Sequence, residues 1–245
     1  MTESNHDKRH KDTHERLLDA AERLFMQHGY EGTSMRQVTS EADVNLAAAN
    51  YHFGSKEALM QAVLQRRLEV INQERLRVLD EAEAKASGRP LKPSVIIDCY
   101  FGTLLRVAAD QKAGGETFLR LLGRTFTEPS AFIRAFMSTE YADVLERYKQ
   151  AMFRSLPDVP KAEIVWRFHF MLGATSYAIA GTDSLRLVTD WQVDEGSQAQ
   201  DEHLLPRLMS FMLGGLRAPL PHFDDEVEKA TSSSVKKEIS HKKHK

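Results

Sequence analysis

A single cysteine, Cys99, stands in the 245 residues of this chain. No internal disulfide can form, which fits a reducing compartment, and in its apolar run Cys99 reads as a small buried hydrophobe rather than a nucleophile. The chain lacks any apolar run of about 18 residues or more, so no membrane crossing is expected. Met1 to Asp12 is polar and charged, without the apolar stretch of a secretory signal, and the expected location is cytoplasmic. The usual catalytic constellations are missing too. There is no Gly-rich phosphate loop, no His-Glu-x-x-His and no paired cysteine motif. His169 is alone in an apolar segment and reads as a core histidine. No enzymatic activity, cofactor or metal site is expected, and neither strand alternation nor an internal repeat appears.

An excess of positive charge is also absent. The whole chain has 33 Lys and Arg against 35 Asp and Glu, a formal charge of −2. Residues 1–60 hold seven basic and ten acidic side chains, a difference of −3. The broad basic footprint of many nucleic-acid binders is therefore missing from this segment.

What is present is helical order. Leu17, Leu18, Ala21, Leu24 and Phe25 make one apolar helical stripe that ends at Gly29. Ser34 and Gln37 form a Ser-x-x-Gln capping box for a short helix whose inner face is Val38 and Ala42. Asp43 sits where the chain must turn, and Asp accepts left-handed backbone better than most residues. Val44 should plug the space between helices, and Asn45 should cap a second short helix with small side chains at Ala47, Ala48 and Ala49. Gly54 stops that helix and Ser55 caps the next. This is the layout of a helix-turn-helix reader of double-stranded DNA. Asn50 has the amide that pairs with adenine, and alanine can pack on a thymine methyl. Tyr51, His52 and Lys56 suit phosphates, as do the few other cations, Arg36 and Arg66 or Arg67.

The run Phe25-x-x-x-Gly29-Tyr30, Thr33-Ser34, Val44 and Tyr51-His52-Phe53-x-x-Lys56-x-x-Leu59 resembles the TetR family of bacterial one-component regulators over residues 13–60. The segment Asn45 to Lys56 looks more specifically like the PsrA-type regulators, which respond to long-chain fatty acids. Asp43 replaces the family's usual Gly, and Asn50 a frequent Tyr. The resemblance places Arg36, Ala48, Asn50, Tyr51, His52 and Lys56 at DNA-contacting positions; the cap and small-residue reading adds Asn45 and Ala47.

Four parts are expected: a flexible 1–12, a helix-turn-helix domain at 13–60, an effector-binding and dimerisation domain at 61–221, and a disordered charged tail at 222–245. The fold class is all-α, with a three-helix N-terminal reader and a larger helical C-terminal domain. The spacing predicts helices over Lys56–Ala86, Ser94–Asp110, Glu116–Thr127, Ala131–Ser155, Lys161–Ala180 and His203–Leu216, with a polar connection over Thr182–Gln200. Phe101, Leu105, Phe118, Leu122 and Phe136 either fill a core or line a cavity for a small apolar effector. Arg120 and Arg124 share a helical face and could clamp an acid head group. The resemblance implies a homodimer on a palindromic operator, paired through 161–180 and 203–216, and a fatty acid or acyl-CoA effector. An efflux-type regulator of aromatic or cationic drugs and a ligand-independent structural DNA-binding dimer are the alternatives.

Overall fold

The computed structural model describes residues 5–109, 115–127, 131–180 and 204–221. Within these every regular element is helical. The expected tail and the 182–200 connection lie outside the described residues.

The reader consists of α1 (Asn5–His28), α2 (Met35–Glu41) and α3 (Leu46–Phe53). Helix α1 begins eight residues ahead of the expected boundary at residue 13, its first turns continuous with the stripe that follows. Leu17, Leu18, Ala21 and Phe25 are buried against α2 and α4. Gly29 ends α1 at φ 72°, a left-handed conformation that a Cβ would strain. Helix α4 (Lys56–Ala86) runs for 31 residues, about 46 Å at 1.5 Å per residue. Its first turns close the reader with Leu59, Met60 and Val63, and its middle enters the larger domain with Leu68, Ile71 and Leu79. The domain limit at residue 60 thus falls inside one continuous helix.

The body follows as α5 (Pro93–Ile97), a π-helical turn (Asp98–Gly102), α6 (Thr103–Ala109), α7 (Gly115–Thr127), α8 (Ala131–Glu140), α9 (Ala142–Ser155), α10 (Lys161–Ile179) and α11 (Leu204–Arg217). Helices α7 and α10 make the closest pairing: a Cβ on Gly123 would lie 2.6 Å from the Ala180 nitrogen and 2.9 Å from the Ser176 carbonyl, so only glycine permits this approach. No helix among the described residues is long and apolar enough to cross a membrane.

Two expected helices are interrupted, each for a visible reason. The segment expected as one helix from Ser94 contains the π turn, which buries Cys99, Tyr100, Phe101 and Gly102 together. The extra residue per turn directs the Tyr100 carbonyl at the Arg75 guanidinium, 3.0 Å away. The segment expected as one helix over 131–155 breaks at Tyr141, whose ring is buried and faces Arg75 at 5.8 Å. Both breaks serve the same buried cation.

Candidate nucleic-acid interface and effector cavities

The turn between α2 and α3 is held from three sides. Ser34 Oγ accepts from the Gln37 amide at 3.3 Å, while Gln37 Oε1 accepts from the Ser34 amide at 2.8 Å. Asp43 adopts φ 51°, the left-handed backbone expected at this position. Arg16 of α1 donates to the Ala42 and Asp43 carbonyls at 2.5 and 2.8 Å, fixing the turn. Asn45 Oδ1 accepts from the Ala48 amide at 2.8 Å and caps α3.

With α3 so placed, Ala49 is fully buried inward, while Asn45, Ala47, Asn50 and Tyr51 are exposed. Ala48 and His52 are half-buried, and Arg36 is exposed on α2. Tyr51 is 78% exposed, far beyond what a core aromatic shows. The His52 ring packs edge-on to Tyr51 at 5.5 Å and to His14 of α1 at 5.8 Å, which orients it beside the exposed face. Ala47, Asn50 and Tyr51 thus share the outward face of α3, opposite buried Ala49, and Arg36 is exposed on α2.

Lys56 is turned inward. Its Nζ donates to the Tyr30 carbonyl at 3.0 Å and the Thr33 carbonyl at 3.1 Å, and sits 4.1 Å above the Tyr30 ring. It staples the loop between α1 and α2. Arg66 and Arg67, considered as phosphate contacts, are committed elsewhere: Arg66 pairs with Glu15, Asp19 and Glu22, and Arg67 with Glu22. These ion pairs lace α1 to α4 and consume the acidic excess of the N-terminal segment. The formal charge of −3 therefore overstates how negative the reading face is.

Two largely apolar cavities lie in the body, beside a more polar one of about 340 Å³ among Glu83, Arg89, Arg147 and Arg154. One, of about 260 Å³, lies between α9 and α10 and is lined by Leu145, Met152, Ile164, Val165, Phe168 and Leu172, with Lys149 and His169 as its polar residues; His169, expected in the core, is exposed instead. The second, of about 20 Å³, is walled by Arg75, Tyr100, Phe101, Leu104, Phe126, Tyr141, Leu172, Thr175, Ser176 and Ile179. Of the expected effector residues, Phe101 lines the smaller cavity. Leu105, Phe118 and Leu122 are buried core and Phe136 is half-buried, all outside both linings. Arg120 and Arg124 are exposed rather than directed at either cavity, and Arg124 donates to the Met26 carbonyl of α1 at 3.3 Å. The cation on the wall of the smaller cavity is Arg75. Its signal was present in the sequence: Arg75 lies four residues after Ile71 and four before Leu79, in the middle of the buried stripe of α4.

Helices α10 and α11 carry an exposed apolar face. Trp166, Phe170, Tyr177 and Phe211 are 56, 63, 47 and 67% exposed. Buried Arg167 locks the two helices by donating to the Leu216 and Ala218 carbonyls at 2.6 and 2.9 Å, capping the C-terminal end of α11.

A helix-turn-helix reader joined through one long helix to a cavity-bearing helical body defines a class of one-component regulators. Residues 17–63 match the family described as bacterial regulatory proteins, tetR family, and residues 98–215 match the tetracyclin repressor-like C-terminal domain. The chain belongs to the TetR family of transcriptional regulators. It is 41% identical over 49 residues to the probable HTH-type transcriptional regulator YttP of Bacillus subtilis (strain 168), covering 20% of this chain and 24% of that one. It is 38% identical over 72 residues to the nicotine-responsive transcriptional repressor HdnoR of Paenarthrobacter nicotinovorans, covering 29% and 37%. The chain thus spans about a quarter to under two fifths of the length of these relatives. Among solved structures, FadR of Bacillus subtilis in complex with stearoyl-CoA superposes with a TM-score of 0.56 at 11% identity, over 82% of this chain and 98% of that one. At that identity the likeness concerns the fold.

Proposed function

We propose that this regulator is a homodimeric repressor that binds a palindromic operator through the outer face of α3 and is released by an apolar effector held in its body. The observation that carries the DNA half is the capped α3 with Ala47, Asn50 and Tyr51 outermost on one face. Small side chains let a helix enter a groove about 12 Å wide, and Asn50 supplies the amide that reads adenine. Arg36 and His52 flank that face for phosphates. The exposed apolar face of α10 and α11 supports the dimer, because a patch of large aromatics left in water marks an interaction surface. A twofold dimer would present two readers to two half-sites one helical turn, about 34–36 Å, apart.

The effector half is supported by the 260 Å³ apolar cavity and by the FadR likeness, whose partner structure holds an acyl-CoA. A fatty acid or its CoA thioester fits the cavity's chemistry and the PsrA-like reading helix. Buried Arg75 beside the second cavity favours an acid over the cationic drugs of an efflux-type regulator. Selection of binding sites from a random duplex library, followed by gel-shift titration with fatty acids from octanoate to stearate and their CoA esters, tests both halves. A palindromic consensus released by one of these lipids is expected. Failure to select any motif overturns the operator; a motif that no lipid releases overturns the effector class.

A further inference from the structure

We propose that Arg75 and Thr175 form the head-group receptor for a free carboxylate amphiphile, whose tail occupies the apolar cavity between α9 and α10. This deepens the effector half of the proposed function and rests on it.

Arg75 is 2% exposed. Its Nε donates to the Tyr100 carbonyl at 3.0 Å, its Nη1 donates to Asn72 Oδ1 at 3.1 Å, and its guanidinium lies 3.9 Å from the Tyr100 ring centroid. All of these partners are neutral, and no carboxylate among the described residues pairs with it. That sets it apart from Arg66, Arg67 and Arg106, each of which has a carboxylate within about 3 Å. It also differs from buried Arg167, which sits on the carbonyl end of α11, where the helix dipole is negative. A buried cation without a counter-charge is costly, and an anion entering beside it removes that cost.

Thr175 gives an independent sign. It is 3% exposed, lines the same small cavity, and its Oγ1 has no hydrogen-bond partner. An orphaned buried hydroxyl is uncommon in native cores. A carboxylate in this cavity would accept from both the guanidinium and this hydroxyl, giving the first an anionic partner and the second its missing acceptor. At about 20 Å³ the cavity has room for about one water, so a carboxylate enters only as the cavity widens.

The two cavities are neighbours across one side chain. Leu172 lines both, and Phe168 of the larger cavity packs on Tyr100 and Phe101 at 5.0 and 5.4 Å. Rotation of Leu172 would join the small cavity that holds Arg75 and Thr175 to the larger apolar one, giving a polar end and a chain-sized body as a carboxylic acid needs. The larger cavity, about 260 Å³, lies just under the usual range of about 300–1,000 Å³ for ligand sites. A single cation matches one carboxylate in charge, and even a widened cavity here has neither the room nor the charge for the phosphates of a CoA thioester.

The test uses the full chain and three probes, decanoate, decanol and decanoyl-CoA, with calorimetric affinities and operator release measured for each. Wild type is expected to bind decanoate about tenfold or more tightly than decanol, a difference of one charged hydrogen-bonded contact. Thr175→Val deletes an unpaired hydroxyl at nearly constant shape. It is expected to keep or raise the melting temperature of the free protein while weakening decanoate about fivefold or more and leaving decanol unchanged. Arg75→Met should abolish the preference for decanoate over decanol. A purely structural role for Thr175 would not separate the acid from the alcohol. Decanoate bound equally by wild type and Thr175→Val overturns the inference. So does a thioester that binds more tightly than the acid and loses affinity in Lys149→Ala; operator release by that thioester would leave the proposed function standing. If none of the three probes binds or releases DNA, both readings fall for this ligand class.

Discussion

The ring of Tyr30 lies 5.1 Å from the ring of Phe132, joining the loop behind α1 to α8. Tyr30 also carries Lys56 Nζ over its ring and touches Phe25 of α1. Burial first, then the hydrogen-bonded Glu57 carboxylate, push the Tyr30 phenol well above its ordinary pKa, so it stays a neutral donor. One side chain thus meets α1, the start of α4 and the body. The Arg124 to Met26 hydrogen bond makes a second joint, from α7 to the end of α1. A ligand that shifts α7 or α8 has two short physical routes to the reader. Under the proposed function the coupling is reciprocal: a ligand that lowers operator affinity would itself bind less tightly to the operator-bound protein by the same factor.

Phe132→Ala is expected to weaken that coupling while sparing the dimer. Aromatic pairs contribute about 0.5–1.5 kcal/mol beyond their buried area. The ratio of operator Kd with and without the releasing lipid should therefore fall by about threefold to tenfold, with Kd in the absence of lipid changing less. An unchanged ratio in a folded Phe132→Ala dimer would remove α8 from the route.

Lys56→Ala should act on folding rather than on phosphates. The ammonium holds two carbonyls of the Tyr30–Thr33 loop and an aromatic face, and hydrogen bonds from charged groups contribute about 1.5–3 kcal/mol when buried. Half-exposure lowers this, and a loss of about 1–2 kcal/mol in urea denaturation is expected. Operator binding should weaken through the displaced loop, while the slope of log K against log salt stays near the wild-type value. A slope reduced by about one unit would place Lys56 on a phosphate after all.

The elements legible in the sequence were those written in local chemistry. The Ser34–Gln37 box, the Asp43 turn, the Asn45 and Ser55 caps and the Gly29 and Gly54 stops stand where their residue types put them. The bounds of α4 matched as well, because Ser55 and the Ser87-Gly-Arg-Pro stretch mark both ends. The cavities were less legible. Arginines 120 and 124 share a helical face on paper, yet both face solvent, since nothing in a periodicity tells a polar stripe beside a cavity from one beside water. Arg75 meets the opposite problem: its place in an apolar stripe is visible in the sequence, but that lone charge acquires meaning only when Tyr100, delivered by a π turn, and Tyr141, delivered by a helix break, close around it.

Side chains on the two helices expected to pair divide sharply by exposure. Leu208 and Met212, natural choices for breaking an interface on α11, are buried inside the protomer at 7 and 1% exposure. Leu208→Glu or Met212→Glu would bury an unpaired carboxylate in the core and should lower the melting temperature of the protomer itself. Phe211→Glu and Trp166→Glu alter exposed side chains instead. Each should give a folded monomer by sedimentation, with near-normal helicity and loss of operator binding. Intact dimers of both variants would place the interface on another surface.

Two asparagines five residues apart should fail in different ways. Asn45 is spent on its helix: its side-chain oxygen accepts the Ala48 amide, and loss of such a cap costs about 1 kcal/mol. Asn45→Ala should fray the first turn of α3 and weaken binding to every duplex in similar proportion. Asn50 makes no cap, is exposed, and lies near the end of α3 beside Tyr51. Asn50→Ala should leave the melting temperature unchanged, cost about 1–3 kcal/mol on the best operator, and relax preference at one base pair of each half-site. The decisive measurement is affinity across a set of single-base operator variants, made for wild type and both mutants at one salt concentration. If Asn50→Ala weakens all variants equally, its amide positions the backbone rather than reading a base. If Asn45→Ala alone alters the preferred sequence, base recognition lies at the entrance of α3 and Asn50 loses the role assigned to it.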